Sequence, residues 1–513
     1  MSFERASGIL LHPTSLPSRG GIGDLGPAAY EFLGFLAAGK QRLWQVLPLG
    51  TLGYGNSPYS ATSAFAGNPL LISLERLAER GWIAPERLAA LPQAVSRVDY
   101  EQVSALKFEL LREAAGNFLQ RASEAENMRF ERFCRENRWW LHDFALFDLL
   151  RRVNHFVRWN RWPRELARRE PAALERLSAA HAADLEAECA LQFFFYEQWG
   201  ALRRECHRRG VRLIGDLAIF VNFDSSDVWT HPQLFRLNDE LDMEVVAGVP
   251  PDAFSPTGQR WGNPIYRWEV LAERGFDWWV ARMRWALRTC DIVRLDHFRG
   301  FDQYWEIPAG EPTAVHGRWV DGPRDALFAA LRNALGELPL IAEDLGFITP
   351  EVHSLRGRLG IPGMRVMQFG FGDPGAEIYL PHRFESNTVV YTGTHDNDTT
   401  WGWWESQATP EERRHAGDYL APGSDGIPWA FIRAAEASVA DLCVIPLQDV
   451  LGLGSEARMN VPSKAEGNWA WRYAPGSLTP ELASRLAALS EASKRRSTAP
   501  ITSPQDDGEE FVA

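Results

Sequence analysis

The chain has 513 residues, of which 45% are hydrophobic and 24% charged, and it carries a formal net charge of −13. That balance excludes a fibrous or disordered protein, and a negative chain without clustered cations excludes broad binding to nucleic acid or anionic lipid, so a neutral substrate fits better. The length points either to several lobes or to one large barrel enlarged by insertions.

Twenty-one tryptophans are many for one chain. Flat indole faces stack on rings, including the apolar faces of sugars, although the ordinary place of any single one is the core. The five cysteines are scattered and form no C-x-x-C pair or His/Cys cluster. They read as free thiols in a reducing compartment, with no disulfide framework, metal site or cofactor implied. The opening MSFERASGILLHP lacks the apolar run of a signal peptide, and nothing later reaches membrane-span length. A cytoplasmic location with no membrane partner is expected.

The first predicted strand, Gly8–Leu11, runs into His12-Pro13-Thr14. The second, Leu43–Leu47, is followed by the turn-rich GNSPYSATSAFAGNP, which contains Tyr59. Residues 70–209 are rich in Arg, Glu, Ala and Leu, too long for a βα loop, and read as a helical subdomain. The third strand, Arg212–Leu217, carries Asp216. Residues 221–288, with Pro250-Pro251, Gly258, Gly262 and Pro264, read more as ordered loop than as regular structure, overhanging the rim. In that stretch Asp252, Gln259, Trp261 and Asn263 offer hydrogen-bonding groups and one stacking face. The next strands are Ile292–Leu295, ending in Asp296-His297, and Leu338–Ala342, ending in Glu343-Asp344. Met364–Phe369, Thr388–Thr392 and Leu442–Pro446 complete the set, and His395-Asp396 follows the second of these.

Eight short apolar runs alternating with amphipathic stretches predict an α/β fold; an open doubly wound sheet would show the same alternation, and the count of eight suggests a (β/α)8 barrel with a large helical insertion between strands two and three and further rim loops. Residues 1–492 form the catalytic barrel, interrupted by 70–209 and 221–288, and the polar, proline-containing tail 493–513 is expected to be disordered. Chemistry in such barrels sits at the C-terminal ends of strands. Three carboxylates stand there: Asp296 in VRLDHFRG, Glu343 in LIAEDLG and Asp396 in YTGTHDND. Gathering three in one cleft is unfavourable unless sugar hydroxyls, Arg294 or protons compensate, which separates acid from base roles.

These three segments resemble the signature regions of the α-amylase clan, most closely the amylomaltases or disproportionating 4-α-glucanotransferases. SGILLHPTSLPS, GIGDLG, WQVLPLG, IGDLAIFV, PPDAFSPTGQRWGNPIY, ARMNVP and GNWAWR match that family as well, so the resemblance spans about Ser7 to Trp471. It implies transfer of α-1,4-glucan segments from maltooligosaccharides or longer glucans to glucose or a maltooligosaccharide, by a retaining mechanism. Asp296 would be the nucleophile, Glu343 the acid and then base, and Asp396 with His395 the holder of sugar hydroxyls. Arg294 would keep Asp296 ionised, Tyr59 would stack beside the sugar at the cleavage point, and the loop bearing Asp252, Gln259, Trp261 and Asn263 would cover bound glucan. By the same resemblance Asp216 is structural, and Asn460, Asn468 and Trp469 brace the rim. Ala218 stands where the family usually has proline, and Ser463-Lys464 where Gly-Thr is usual. A hydrolase of the same clan and a non-catalytic glucan-binding barrel are the alternatives.

Overall fold

The computed structural model describes residues 3–89, 91–92, 96–252, 255–372, 375–462, 464 and 466–495. Its centre is a closed ring of eight parallel strands. In chain order they are β1 (Ala6–Leu10), β2 (Leu43–Gln45), β3 (Arg212–Ala218), β6 (Ile292–Asp296), β9 (Leu340–Ala342), β10 (Gly363–Val366), β11 (Thr388–Tyr391) and β12 (Leu442–Pro446). β1 pairs with β12 to close the ring. All five residues of β12 and all five of β1 are buried, as expected where helices cover the outside of a sheet and side chains fill the inside. Gly8 shows how tight the ring is: a Cβ there would lie 2.2 Å from the carbonyl oxygen of Leu43. Each of the eight strands falls within or beside a predicted apolar run. The run Met364–Phe369 is shorter as a strand, because Met367–Phe371 turns into a 3-10 helix.

Between β2 and β3 most of the described residues of 70–209 are helical. Its long helices are Tyr100–Arg121, Glu124–Glu136, Arg138–Val153 and Ala182–Arg208. Asp99 caps the first, and Ser123 with Glu126 forms a capping box on the second. Phe193 packs its ring against Phe118, Phe130 and Phe133, which joins three of these helices. Polar clasps fix the group to the barrel: Gln192 accepts from the Gly67 amide at 2.8 Å and Gln198 from the Ser73 amide at 2.7 Å.

The stretch 221–288 departs from the loop expectation. It contains helices Trp268–Glu273 and Asp277–Thr289 and two strands, β4 (Val245–Val249) and β5 (Gln259–Pro264). These strands pair with β7 (Gln303–Pro308) and β8 (Arg318–Asp321) in an antiparallel sheet of order β5-β4-β7-β8. Its other half lies beyond β6, so the segment read alone shows only its turns. The tail boundary also moves. Arg495 is fully buried and donates to the carbonyls of Glu436, Asp441 and Ser438 at 2.8, 3.1 and 3.1 Å; residues 496–513 lie outside the described residues. Among the described residues no helix is long and apolar enough to cross a membrane.

Candidate active site

The site is assembled by strand register. β3 and β6 pair Asp216 with Arg294 and Ala218 with Asp296. β6 and β9 pair Leu295 with Ala342, and the Glu343 amide donates to the Leu295 carbonyl at 3.0 Å. Asp296 and Glu343 therefore leave the rim side by side.

Arg294 sits beneath them with only 4% of its side chain exposed. Its Nη1 lies 2.8 and 2.9 Å from the Asp216 oxygens and 2.9 Å from Asp296 Oδ1, a shared charge-assisted contact. Burial works against the guanidinium charge, yet the two aspartates hold it well above its ordinary range. Asp216 also accepts from the Tyr59 hydroxyl at 2.9 Å. Burial, with Asp216 beside it, raises the Tyr59 phenol well above normal, so it stays a donor.

Glu343 has different surroundings. Burial pushes its carboxyl up from the usual 4.5 to about 7; Arg294 pulls the other way, and the neighbouring Asp296 adds to the rise. Oε2 accepts from the His297 amide at 2.8 Å and Oε1 from the Leu345 amide at 3.2 Å. His297 reaches this position in the left-handed region, φ +50. A non-glycine residue there is strained, and such strain gathers at functional sites.

The third carboxylate forms the opposite wall. Asp396, 47% exposed at its side chain, accepts from Asn460 Nδ2 at 2.6 Å, and its carbonyl accepts from Arg458 at 2.6 Å. His395 Nε2 lies 3.4 Å from Asp396 Oδ2. The His395 ring stacks on Tyr59 at 5.2 Å and 16°, and Trp469 packs against both. Tyr59, through its two contacts, links the Asp396 wall to the Asp216–Arg294–Asp296 chain. Asn468 closes the turn below by accepting from the Val461 amide at 2.9 Å.

The rim sheet supplies one direct neighbour. Trp261, 39% exposed, meets the His297 ring edge-on at 4.8 Å, and Gln259 accepts from its indole N–H at 3.2 Å. Asn263 turns its amide to the Val221 carbonyl at 2.9 Å. Asp252 is exposed, and its Oδ1 caps the Ser255 amide at 2.7 Å. The geometry thus brings together Asp296, Arg294, Glu343, Asp396, His395, Tyr59 and Trp261, while the Asn263 bond to Val221 and the Asp252 bond to Ser255 lie within the 221–288 stretch. Among the described residues no cluster has the make-up of a metal site.

A family model described as 4-alpha-glucanotransferase matches residues 11–479. A 4-alpha-glucanotransferase of Thermus thermophilus is 51% identical over 503 residues, covering 96% of this chain and 100% of the relative. One from Synechocystis is 46% identical over 97% of this chain and 99% of its own length. The solved amylomaltase from Streptococcus agalactiae in complex with acarbose superposes with a TM-score of 0.93 at 37% identity, covering 96% of this chain and all of that one. The chain belongs to the 4-α-glucanotransferase family.

One feature of the site region escaped the strand-end reading. Phe347, four residues past Glu343, is 79% exposed. Its carbonyl accepts from Arg299, whose guanidinium lies 5.5 Å from the Phe347 ring and 3.9 Å from that of Trp319. No polar signature marks a lone phenylalanine in a loop; its distance of four residues from Glu343 was the available clue. Asp216, read from the sequence as a structural residue near the cleft, shares the Arg294 guanidinium with Asp296. Ala218, where the family usually has proline, extends β3 to the level of Asp296. Ser463 lies outside the described residues.

Proposed function

We propose that this enzyme moves α-1,4-glucan segments by a retaining double displacement in which Asp296 is the nucleophile, Glu343 the acid and base, and Asp396 the group that grips the sugar hydroxyls. One observation carries the reading: two carboxylates on neighbouring strands have opposite surroundings, Asp296 ion-paired to Arg294 and Glu343 pushed up to about 7. A retaining glycosidase mechanism needs that division of labour.

In the first half, an Asp296 oxygen bonds to the anomeric carbon while the glycosidic oxygen departs with the proton of Glu343. In the second, the Glu343 carboxylate takes the proton of an acceptor 4-hydroxyl, whose oxygen attacks the anomeric carbon and releases Asp296. Maltooligosaccharides or longer glucans are the donors; glucose or a maltooligosaccharide is the acceptor. Sugar rather than water is favoured where an acceptor ring is held in place, and the exposed rings of Trp261, edge-on to His297, and of Phe347, four residues past Glu343, offer stacking faces for one. The five cysteines, all free, suit a reducing, cytoplasmic setting.

The test uses Glu343→Gln with an α-glucosyl fluoride, whose leaving group needs no acid. A covalent glucosyl adduct on Asp296 is expected by peptide mass mapping. An adduct on another residue would sink the assignment.

A further inference from the structure

Most tryptophans of this chain are core, but Trp139 is 48% exposed. It stands in the first turn of helix Arg138–Val153, its ring held edge-on by Phe65 at 4.7 Å and by Trp285 at 6.1 Å. A hollow of about 220 Å³ opens on one side of it, lined also by Asp143, Thr230, Asp277 and Trp278. Another, of about 240 Å³, opens with Arg284 and Arg288 on its wall. The indole is thus a fixed ridge between two depressions.

The polar groups of the first hollow are oriented in advance. Asp143 Oδ1 accepts from Arg169 at 2.6 Å, and Asp277 Oδ2 accepts from Arg274 at 2.7 Å. Trp278, 5% exposed, also lines the hollow; its indole N–H and the Thr230 hydroxyl have no hydrogen-bond partner among the described residues. Buried donors without partners are rare and costly. Phe65 forms the back wall, and on its other side it lines the cavity that reaches Tyr59 and Asp216. The hollow therefore lies outside the catalytic cleft.

An exposed indole flanked by fixed carboxylates and donors suits one ligand chemistry. The apolar face of a pyranose stacks on the ring while its hydroxyls find acceptors and donors at the edge. Mixed charge disfavours a strongly ionic ligand, and two hollows astride one ridge suit consecutive units of a polymer. We infer that this face is an accessory site holding a stretch of linear α-1,4-glucan and keeping long substrates beside the enzyme. The choice of α-1,4-glucan rests on the reaction proposed above; the site does not require turnover.

Native-gel retardation by soluble amylose, compared with initial transfer rates on maltotriose, tests this. Trp139→Ala is expected to weaken amylose retardation by about threefold to tenfold, the loss of one stacked ring. Its maltotriose rate is expected to stay within about twofold of the unmodified enzyme, as for a substitution remote from the cleft. Trp139→Phe keeps a ring against Phe65 and is expected to fall between the two. Retardation unchanged in Trp139→Ala overturns the inference, and so does an equal loss on amylose and maltotriose, which would place the effect in the cleft or the fold. Trp139-dependent retardation without any maltotriose transfer would leave the site standing and sink the proposed reaction instead.

Discussion

Two aspartates bracket a single strand of this barrel, each paired to an arginine but otherwise in contrasting surroundings. Asp291, just before β6, is bonded to His207 Nε2, Arg203 Nη2 and the Leu213 amide, all at 2.8 Å. Burial pushes its carboxyl up, but the His207 bond and the Arg203 charge outweigh that and hold it below the usual range. Asp296, five residues on, has one charged partner and a side chain 29% exposed. The first is saturated by the protein; the second keeps an oxygen for something else. Barrels of this kind place stability at the N-terminal ends of strands and chemistry at the C-terminal ends, and here one strand carries both.

Substitution at the two positions should separate these roles. Asp296→Asn is expected to lower transfer from maltotriose by about 10⁴-fold or more while the thermal midpoint barely moves. A drop of less than tenfold would break the contrast. Glu343→Gln is expected to cost about 10²- to 10⁴-fold and to remove the alkaline limb of the rate profile. In the unmodified enzyme that limb should lie near pH 7, because the acid must hold its proton and Glu343 loses it at about 7. The same group has a stability signature. Its folded carboxyl keeps a proton that the unfolded one releases near 4.5, so stability falls as pH rises from about 4.5 to about 7, and Glu343→Gln should lack that slope. Asp291→Asn should do the reverse of Asp296→Asn, losing about 3 kcal/mol in denaturant unfolding while the folded fraction keeps its rate. The smallest effect sharpens the picture at the acceptor side. Phe347→Ala should lower the ratio of transfer to hydrolysis by about threefold to tenfold in product analysis, with donor cleavage retained.

The barrel was legible because its strands are short, mostly buried apolar runs, and because the polar residues that follow most of them stand where side chains leave the sheet. Asp296, Glu343 and Asp396 were legible for the same reason. The rim sheet was not, since β4 finds its partner β7 across the whole of β6 and β5 has a single buried residue and no apolar run. The link from Tyr59 to Asp216 spans 157 positions, a separation that no local pattern encodes. Trp139 and Trp140 look alike in sequence, yet one is 48% and the other 4% exposed. Both rings meet Phe65 and Trp285, and only the further packing of Trp140 on Phe144 and Tyr196 tells them apart.

Arg495 has a bearing on synthesis. The seam of the ring joins β1 to β12, and the Arg495 guanidinium reaches the carbonyls of Ser438 and Asp441 beside β12 and that of Ala6 in β1. On the ribosome the N-terminal parts emerge first, so β1 must wait, one edge unpaired, through more than 400 residues of translation. The cylinder closes only when β12 arrives, with Arg495 then clasping its seam, and a nascent chain halted before β12 would expose an open sheet edge to its neighbours.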